Sequence, residues 1–313
     1  MKILDNSDKH ILPILPEIIS KELGKNADKF KFIGGGSFGR VYKAVLSDGE
    51  TIAVKAYRLQ GSQHEEAKQL KLLSANTSVK MPEVLFAYED EDTALLGMSF
   101  CKGQNVLNPM FLFKNKDQKQ KFANDVISGM LEWHRVTNDK FGSLENPVYD
   151  SWYEYYKKEK QEPWLAGLEE LTRKGKFSSK KLKLIYEATE IFNNLSDEKS
   201  IPVLIHSDLN IMNIMADPKT LKLTAFIDPC ACMWADREYD LFQLRNMWGD
   251  AYGLYDTYKQ KYKLSEYADF RVAYYGAMNE AHCRLGGGLI MPLWEVLCNN
   301  RLKKEMKKLK EKM

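Results

Sequence analysis

The glycine run GGGSFGRV at residues 34–41 lies between two β-favouring runs, residues 30–33 and 40–46, and no other feature narrows the possible folds as much. A G-x-G-x-x-G segment that opens a helix belongs to a βαβ unit, with an acidic residue about 20 positions later. One followed by a second strand is instead the turn of an antiparallel hairpin. Here Gly34, Gly36 and Gly39 take the three glycine positions, and a third β-favouring run at residues 51–57 follows across Asp48-Gly49, a strong hairpin signal. An antiparallel meander is predicted, with the glycine loop at its first turn.

The rest of the chain continues that pattern and then changes character. Residues 1–30 read as an opening helix or extended arm, 62–73 as a helix with Ala67, Leu70 and Leu73 on one face, and 83–88 and 93–100 as two more strands. Beyond residue 104 the periodicity is helical, at 117–134, 151–160, 179–195, 239–248 and 252–262, except for short apolar runs at 202–206 and 221–228. A chain of 313 residues exceeds the roughly 250–300 at which single cores stop growing. Two domains are expected in an α+β class: residues 1–101 with a five-stranded antiparallel sheet and one helix, and residues 102–313, mainly helical. Cys101-Lys102-Gly103 would connect them.

The candidate chemistry falls in the order that handling a polyphosphate requires. Glycines let backbone N–H groups approach phosphate oxygens without a Cβ in the way. Gly34, Gly35, Gly36, Ser37, Phe38 and Gly39 form that loop, with Val41, Ala53 and Met98 as further nucleotide contacts. Lys55 closes IAVK, where alternation places it with Ala53 on one face. Glu66 flanks the buried edge of the following helix and is preferred over Glu65 as the partner of the ammonium. In HSDLNIMN, Asp208 is placed to take a proton from an acceptor hydroxyl, and Asn213 with Asp228 to hold Mg2+. His206 reads as a brace for the loop. ATP or GTP with Mg2+ is the implied cofactor set.

Composition removes other classes. Lys+Arg 46 against Asp+Glu 43 leaves a net charge of +3, too balanced for a dedicated nucleic-acid binder. Five scattered cysteines resemble neither a disulfide framework nor a zinc site, and a cytoplasmic location is expected. Pro13 and Pro16 interrupt the early apolar stretch, and no run of about 18 apolar residues occurs, so no membrane span is expected. Residues 301–313 are basic, with Leu302, Met306, Leu309 and Met313 at helical spacing; they read as a solvated last helix with one docked stripe.

Two further segments carry a resemblance. IDPCACMWADREYDL, with its Asp-Pro and later Arg-Glu-Tyr-Asp-Leu, and LEWHRVTNDKFGSLENPVYDSWYEYY resemble the aminoglycoside phosphotransferase and fructosamine kinase group, the small-molecule branch of the protein-kinase-like superfamily. The likeness covers roughly residues 30–260. The chain carries Ser207 and Asn210 where fructosamine kinases usually have glycine and tryptophan. The resemblance implies a two-lobed protein-kinase-like fold that transfers the γ-phosphoryl group to a hydroxyl of a sugar, amino sugar or similar metabolite. Alternatives are a Ser/Thr protein kinase or a nucleotide-binding protein without turnover. Against the former, only nine residues separate Asp228 from Glu238, no Ala-Pro-Glu follows, and Ser207 replaces the arginine of His-Arg-Asp. Asp150, Trp152, Tyr153, Asp236 and Glu238 are candidate acceptor contacts. Tyr149, Tyr153 and Tyr156 also suit a core, and Arg237, Glu238 and Asp240 a structural network. The small molecule is the one partner called for; the oligomeric state stays open.

Overall fold

The computed structural model describes residues 2–195 and 200–312. The chain forms two compact units, one running to Asn105 and taking in Asn213–Cys230, the other formed by Val106–Met212 and the chain from Ala231 onward.

In the first unit, α1 (Asp8–Leu23) precedes β1 (Ala27–Gly35), β2 (Gly39–Leu46), β3 (Thr51–Tyr57), α2 (Ser62–Ser74), β4 (Val84–Glu89) and β5 (Ala94–Ser99). The strands make one antiparallel sheet in the order β1-β2-β3-β5-β4. Side-chain alternation divides its faces. Tyr42, Ala44, Leu46, Ile52, Val54 and Ala56 point one way and are buried under Ile11, Leu15, Ile18 and Ile19 of α1. Val41, Ala53, Lys55 and Met98 point the other way, Val41 opposite Lys55 and Ala53 opposite Met98. The opening segment is therefore a helix, even though Pro13 and Pro16 lie inside it and cannot donate to its backbone ladder. Burial of its apolar stripe offsets those lost bonds.

A hairpin of Ile214–Ala216 and Leu223–Phe226 also joins this unit. Sequence reasoning assigned it to the helical part, beyond a boundary after residue 101. Its backbone decides otherwise: Met215 and Ala216 pair with Asn105 and Gln104, and the Phe226 N–H donates to the Lys80 carbonyl at 2.9 Å. Gly103, at φ 124°, is needed where the hairpin crosses, because a Cβ there would lie 2.9 Å from the Ala216 carbonyl oxygen.

The second unit contains α3 (Lys116–Trp133), α4 (Trp152–Tyr156), α5 (Glu162–Arg173), α6 (Ser179–Asn194), α7 (Arg237–Leu241), α8 (Leu254–Lys261), α9 (Ala268–His282) and α10 (Pro292–Lys312). Asn115 and Gln118 form a reciprocal capping box that starts α3. The helix expected over 151–160 runs on, through a π turn at Lys157–Gln161, into α5; the wide turn accommodates Pro163, which has no N–H to return. The helix expected over 239–248 stops at Leu241 and continues as 3₁₀ turns at Gln243–Arg245 and Gly249–Tyr252. Met247 there has φ 53°, and a Cβ at Gly249 would overlap the Leu244 carbonyl. A small sheet in the order Pro147–Tyr149, Phe141–Ser143, Met233–Ala235, Val203–Ile205 supports the loop after Ile205.

Aromatic rings fill the core of this unit: Tyr156 meets Tyr239 and Tyr275 edge-on, and Phe192 stacks on Tyr274 at 4.5 Å. The last helix docks through Trp294, Cys298, Leu302 and Met306, with Leu309 half-buried; Met313 lies outside the described residues. Among the described residues no helix is long and apolar enough to cross a membrane.

Because Leu15 is fully buried between α1 and the sheet, Leu15→Ala should cost about 2–5 kcal/mol through a cavity. Denaturant unfolding of the full chain measures this, and a loss well below 1 kcal/mol would mean that α1 is not integral to the sheet's core.

Candidate active site

In the first unit the chemistry begins with geometry that only glycine permits. The loop between β1 and β2 is closed by a hydrogen bond from the Gly36 N–H to the Gly39 carbonyl at 3.0 Å. A Cβ on Gly39 would lie 2.9 Å from the Ala56 carbonyl oxygen and 3.4 Å from the Lys55 side chain. Space is open at Gly34 and Gly36, where a Cβ would meet nothing within 4 Å. Ser37 is half-buried and Phe38 exposed at the tip.

Beneath that loop Lys55 is buried, its Nζ 2.5 Å from Glu66 Oε2 and hydrogen-bonded to Asp228 Oδ1. Burial works against the ammonium, yet Asp228 and Glu66 together outweigh it and raise its pKa. Burial likewise pushes the Glu66 carboxyl up, opposed by Lys55; Glu66 also accepts from Tyr57 Oη at 2.7 Å. Glu65, the other candidate partner, is exposed and pairs with Lys68.

Asp228 follows the hairpin strand Leu223–Phe226, and the Ile227 N–H donates to the Asn213 carbonyl at 2.9 Å, which sets Asn213 and Asp228 side by side. Asp228 sits at φ 58°, a left-handed conformation uncommon for a non-glycine residue. Half of its side chain remains exposed. Among the described residues no group of three or more His, Cys, Asp or Glu could hold a metal ion by itself. A carboxylate and an amide oxygen are nevertheless a hard donor set that suits Mg2+, which is usually held by one or two carboxylates together with phosphate oxygens.

In the second unit Asp208 leaves the strand Val203–Ile205 on a loop tied to one buried carboxylate. Asp240, fully buried, accepts from the Ser207 N–H at 2.8 Å and the His206 N–H at 3.3 Å. His134 Nε2 lies 3.2 Å from Asp240, and burial lowers the His134 pKa despite that carboxylate. The neutral ring therefore donates through Nε2 and accepts from Tyr258 Oη through Nδ1 at 2.7 Å. Ser207 is held at φ 66°. Asn210 donates to Asp208 Oδ1 at 2.9 Å and accepts from the Met212 N–H at 2.9 Å, so its amide orients the carboxylate. His206 contributes Nδ1 as acceptor for the Asp208 N–H at 3.3 Å.

The acceptor candidates divide between surface and core, with Trp152, Asp236 and Glu238 all close to Tyr275. Asp150 is exposed and pairs with Lys140; Trp152 is buried and donates to Tyr275 Oη at 2.9 Å; Tyr153 is half-buried beside Phe192. Two need correction. Glu238 is buried and engaged on both oxygens, by Arg271 at 2.8 Å and by the Ser265 N–H, as a member of a structural network. Asp236 caps α7 through the Glu238 N–H, and burial beside Glu238 pushes it up to about 6. Sequence reasoning missed Asn210, whose spacing two residues after Asp208 was its only signal. It also missed the C-terminal end of α9. There Cys283 lies within electrostatic reach of Asp208, and burial with the neighbouring Glu295 pushes Glu280 up to about 7. A groove of about 600 Å³ elsewhere on this unit, between α5 and α6, contains none of the motif residues.

The model of the phosphotransferase enzyme family (APH) matches residues 29–277, most of the chain. The chain belongs to that family. Over 201 residues this family member is 21% identical to the uncharacterised protein YcbJ of Escherichia coli strain K12, a stretch covering 62% of the chain and 65% of YcbJ, just under two thirds of that relative. It is also 37% identical over 145 residues to the MAP kinase kinase kinase SSK2 of Saccharomyces cerevisiae, 42% of this chain but 9% of SSK2. Among solved structures, a candidate fructosamine-3-kinase of Thermobifida fusca aligns with a TM-score of 0.67 at 18% identity, over 94% of this chain and 98% of that one. The streptomycin–ATP complex of APH(2″)-IIa aligns with a TM-score of 0.62 at 16% identity, over 86% and 92%. These phosphotransferase-family structures share the protein-kinase-like fold: an antiparallel sheet unit and a helical unit.

Glu280 gives a test by pH. Its folded-state pKa lies above the ordinary glutamate value of 4.5, so the native state holds a proton that the unfolded chain has released between about pH 4.5 and 7. Stability from this group falls as pH rises through that window. Glu280→Gln should leave Tm unchanged near pH 4 and raise it relative to wild type at pH 8; an equal Tm difference at both pH values would refute the assignment.

Proposed function

We propose that this protein transfers the γ-phosphoryl group of ATP, or GTP, to a hydroxyl group of a small polar metabolite such as a sugar or amino sugar. One observation carries the reading: the buried Lys55 ammonium locked between Glu66 and Asp228, with Asn213 adjacent to Asp228 and Asp208 five residues upstream. Family membership supports it, and so does the ATP bound to APH(2″)-IIa.

In this reading the first unit, through Asn105 and again over Asn213–Cys230, supplies the nucleotide and metal contacts, and the second unit supplies the acceptor side. Backbone N–H groups of residues 34–39 cover the phosphates, and Lys55 holds the α- and β-phosphates. Asp228 and Asn213 would hold Mg2+, which supplies charge neutralisation on the phosphate oxygens. Asp208, oriented by Asn210, accepts the proton of the acceptor hydroxyl as its oxygen bonds to the γ-phosphorus. The bond from that phosphorus to the β,γ-bridging oxygen breaks, and the nucleoside diphosphate leaves. Such chemistry suits the cytoplasm, where nucleotide and magnesium are plentiful, and requires no nucleic acid.

A second reading, transfer to a protein hydroxyl, draws on the local similarity to SSK2. The nine residues between Asp228 and Glu238 are too short for a peptide platform, which favours the small acceptor.

Purified protein with MgATP should phosphorylate a member of a sugar, ketosamine, amino-alcohol and aminoglycoside panel. Asp208→Asn should lower kcat by roughly 10²–10⁴-fold while nucleotide affinity is retained. Transfer to protein substrates alone would favour the second reading, and nucleotide binding without any turnover would remove both.

Asp228→Asn separates the metal role from the base role. Calorimetry should show ATP binding that no longer tightens with added Mg2+, whereas Asp208→Asn keeps that dependence.

A further inference from the structure

The second unit carries an apolar cleft among its surface grooves. Met247, Trp248, Ile290, Leu293, Trp294 and Leu297 line a cleft of about 280 Å³ at the start of α10. Trp248 and Leu293 are 51% and 70% exposed. That size falls just below the usual range of ligand pockets, ~300–1,000 Å³, and suits a ring or a short chain, not a protein helix.

Three features tie this cleft to the loop that carries Asp208. Trp294 Nε1 donates to Asn246 Oδ1 at 3.1 Å, Asn246 donates to Gln243 Oε1 at 2.7 Å, and Gln243 donates to the Ser207 carbonyl at 3.1 Å. The cleft wall is thus connected by hydrogen bonds, two of the three buried, to the residue immediately before Asp208. Gly249, next to Trp248, packs over the same loop, since a Cβ on it would lie 3.8 Å from Ile211 Cγ2. The segment following α9 makes the third link: it starts at Cys283, within electrostatic reach of Asp208, and seven residues later supplies Ile290 to the cleft.

The named walls carry no charged side chain, and the indole N–H of Trp294 is already satisfied within the protein. Such a lining repels a polyammonium sugar and rewards burial of hydrocarbon. We propose that the cleft is the acceptor subsite for an apolar substituent, so that the acceptor is an amphiphile whose hydroxyl meets Asp208 while its alkyl or aryl part occupies the cleft. This rests on the small-molecule kinase reading and narrows its substrate class.

The test uses n-alkyl glucosides from methyl to hexyl, with kanamycin as a polycationic control. Binding is measured by calorimetry, and phosphoryl transfer from MgATP is measured separately. Affinity should tighten roughly fourfold for each added methylene while the chain still fits. Leu293→Asp and Trp248→Ala should each flatten that dependence by at least tenfold at hexyl, with ATP affinity unchanged as a check on folding. Chain-length-dependent binding without transfer to any acceptor would uphold the cleft and overturn the kinase reading. Affinity that ignores chain length in the wild type, or survives both substitutions, would overturn the cleft. So would self-association abolished by Leu293→Asp together with a flat alkyl series, which would make this face a contact between two copies.

Discussion

A buried lysine imposes the organisation of the first unit. An ammonium taken out of water is costly unless opposite charge accompanies it, and here two carboxylates do so. Glu66 comes from α2 and Asp228 from the end of a hairpin more than 170 residues later in the chain, so one charge gathers sheet, helix and hairpin around itself. The same lysine explains Gly39, because its side chain and the Ala56 carbonyl occupy the space a Cβ would need. With α1 packed on the opposite face of the sheet, alternation along β3 separates a greasy face from a chemical one.

The second unit repeats the logic with the sign reversed. Asp240 is a carboxylate without exposure, and its charge is met by the backbone N–H groups of His206 and Ser207 and by His134. That requirement fixes the path of the loop just before Asp208 and holds Ser207 in a left-handed conformation. Asp208 and Asp228 are thus each set by a strained residue, Ser207 beside the one and Asp228 itself, and in both cases a buried ion or its partner over-determines the backbone. The apolar cleft beside α10 is connected to the same loop through Gln243 and Asn246, so the cleft wall and the Asp208 loop share one hydrogen-bonded support.

The sheet was legible in advance because its strands run six to nine residues, long enough for alternation and turn signals to show. The small sheet that supports Asp208 has three-residue strands at Phe141–Ser143 and Met233–Ala235, too short for any period. The helix expected over 239–248 had a fair pattern, but close approach at Gly249 broke it. Glu238 and Asp236 had acidic character suited to a ligand, yet Arg271 and the first turn of α7 took them up, and no local pattern announces a partner 33 residues away.

Residue identity and order were enough to give the α+β class and to single out Lys55, Asp208, Asn213 and Asp228 as candidates, because each chemical role demands a particular side chain and hairpin signals are local. Only tertiary packing decided that Asp228 joins Glu66 at Lys55, which buried carboxylate holds the Asp208 loop, that the 214–226 hairpin belongs with the sheet, and that an apolar cleft lies at the start of α10. Those outcomes depend on contacts between segments far apart in the chain, and burial, which sets their energies, is a property of the folded molecule alone.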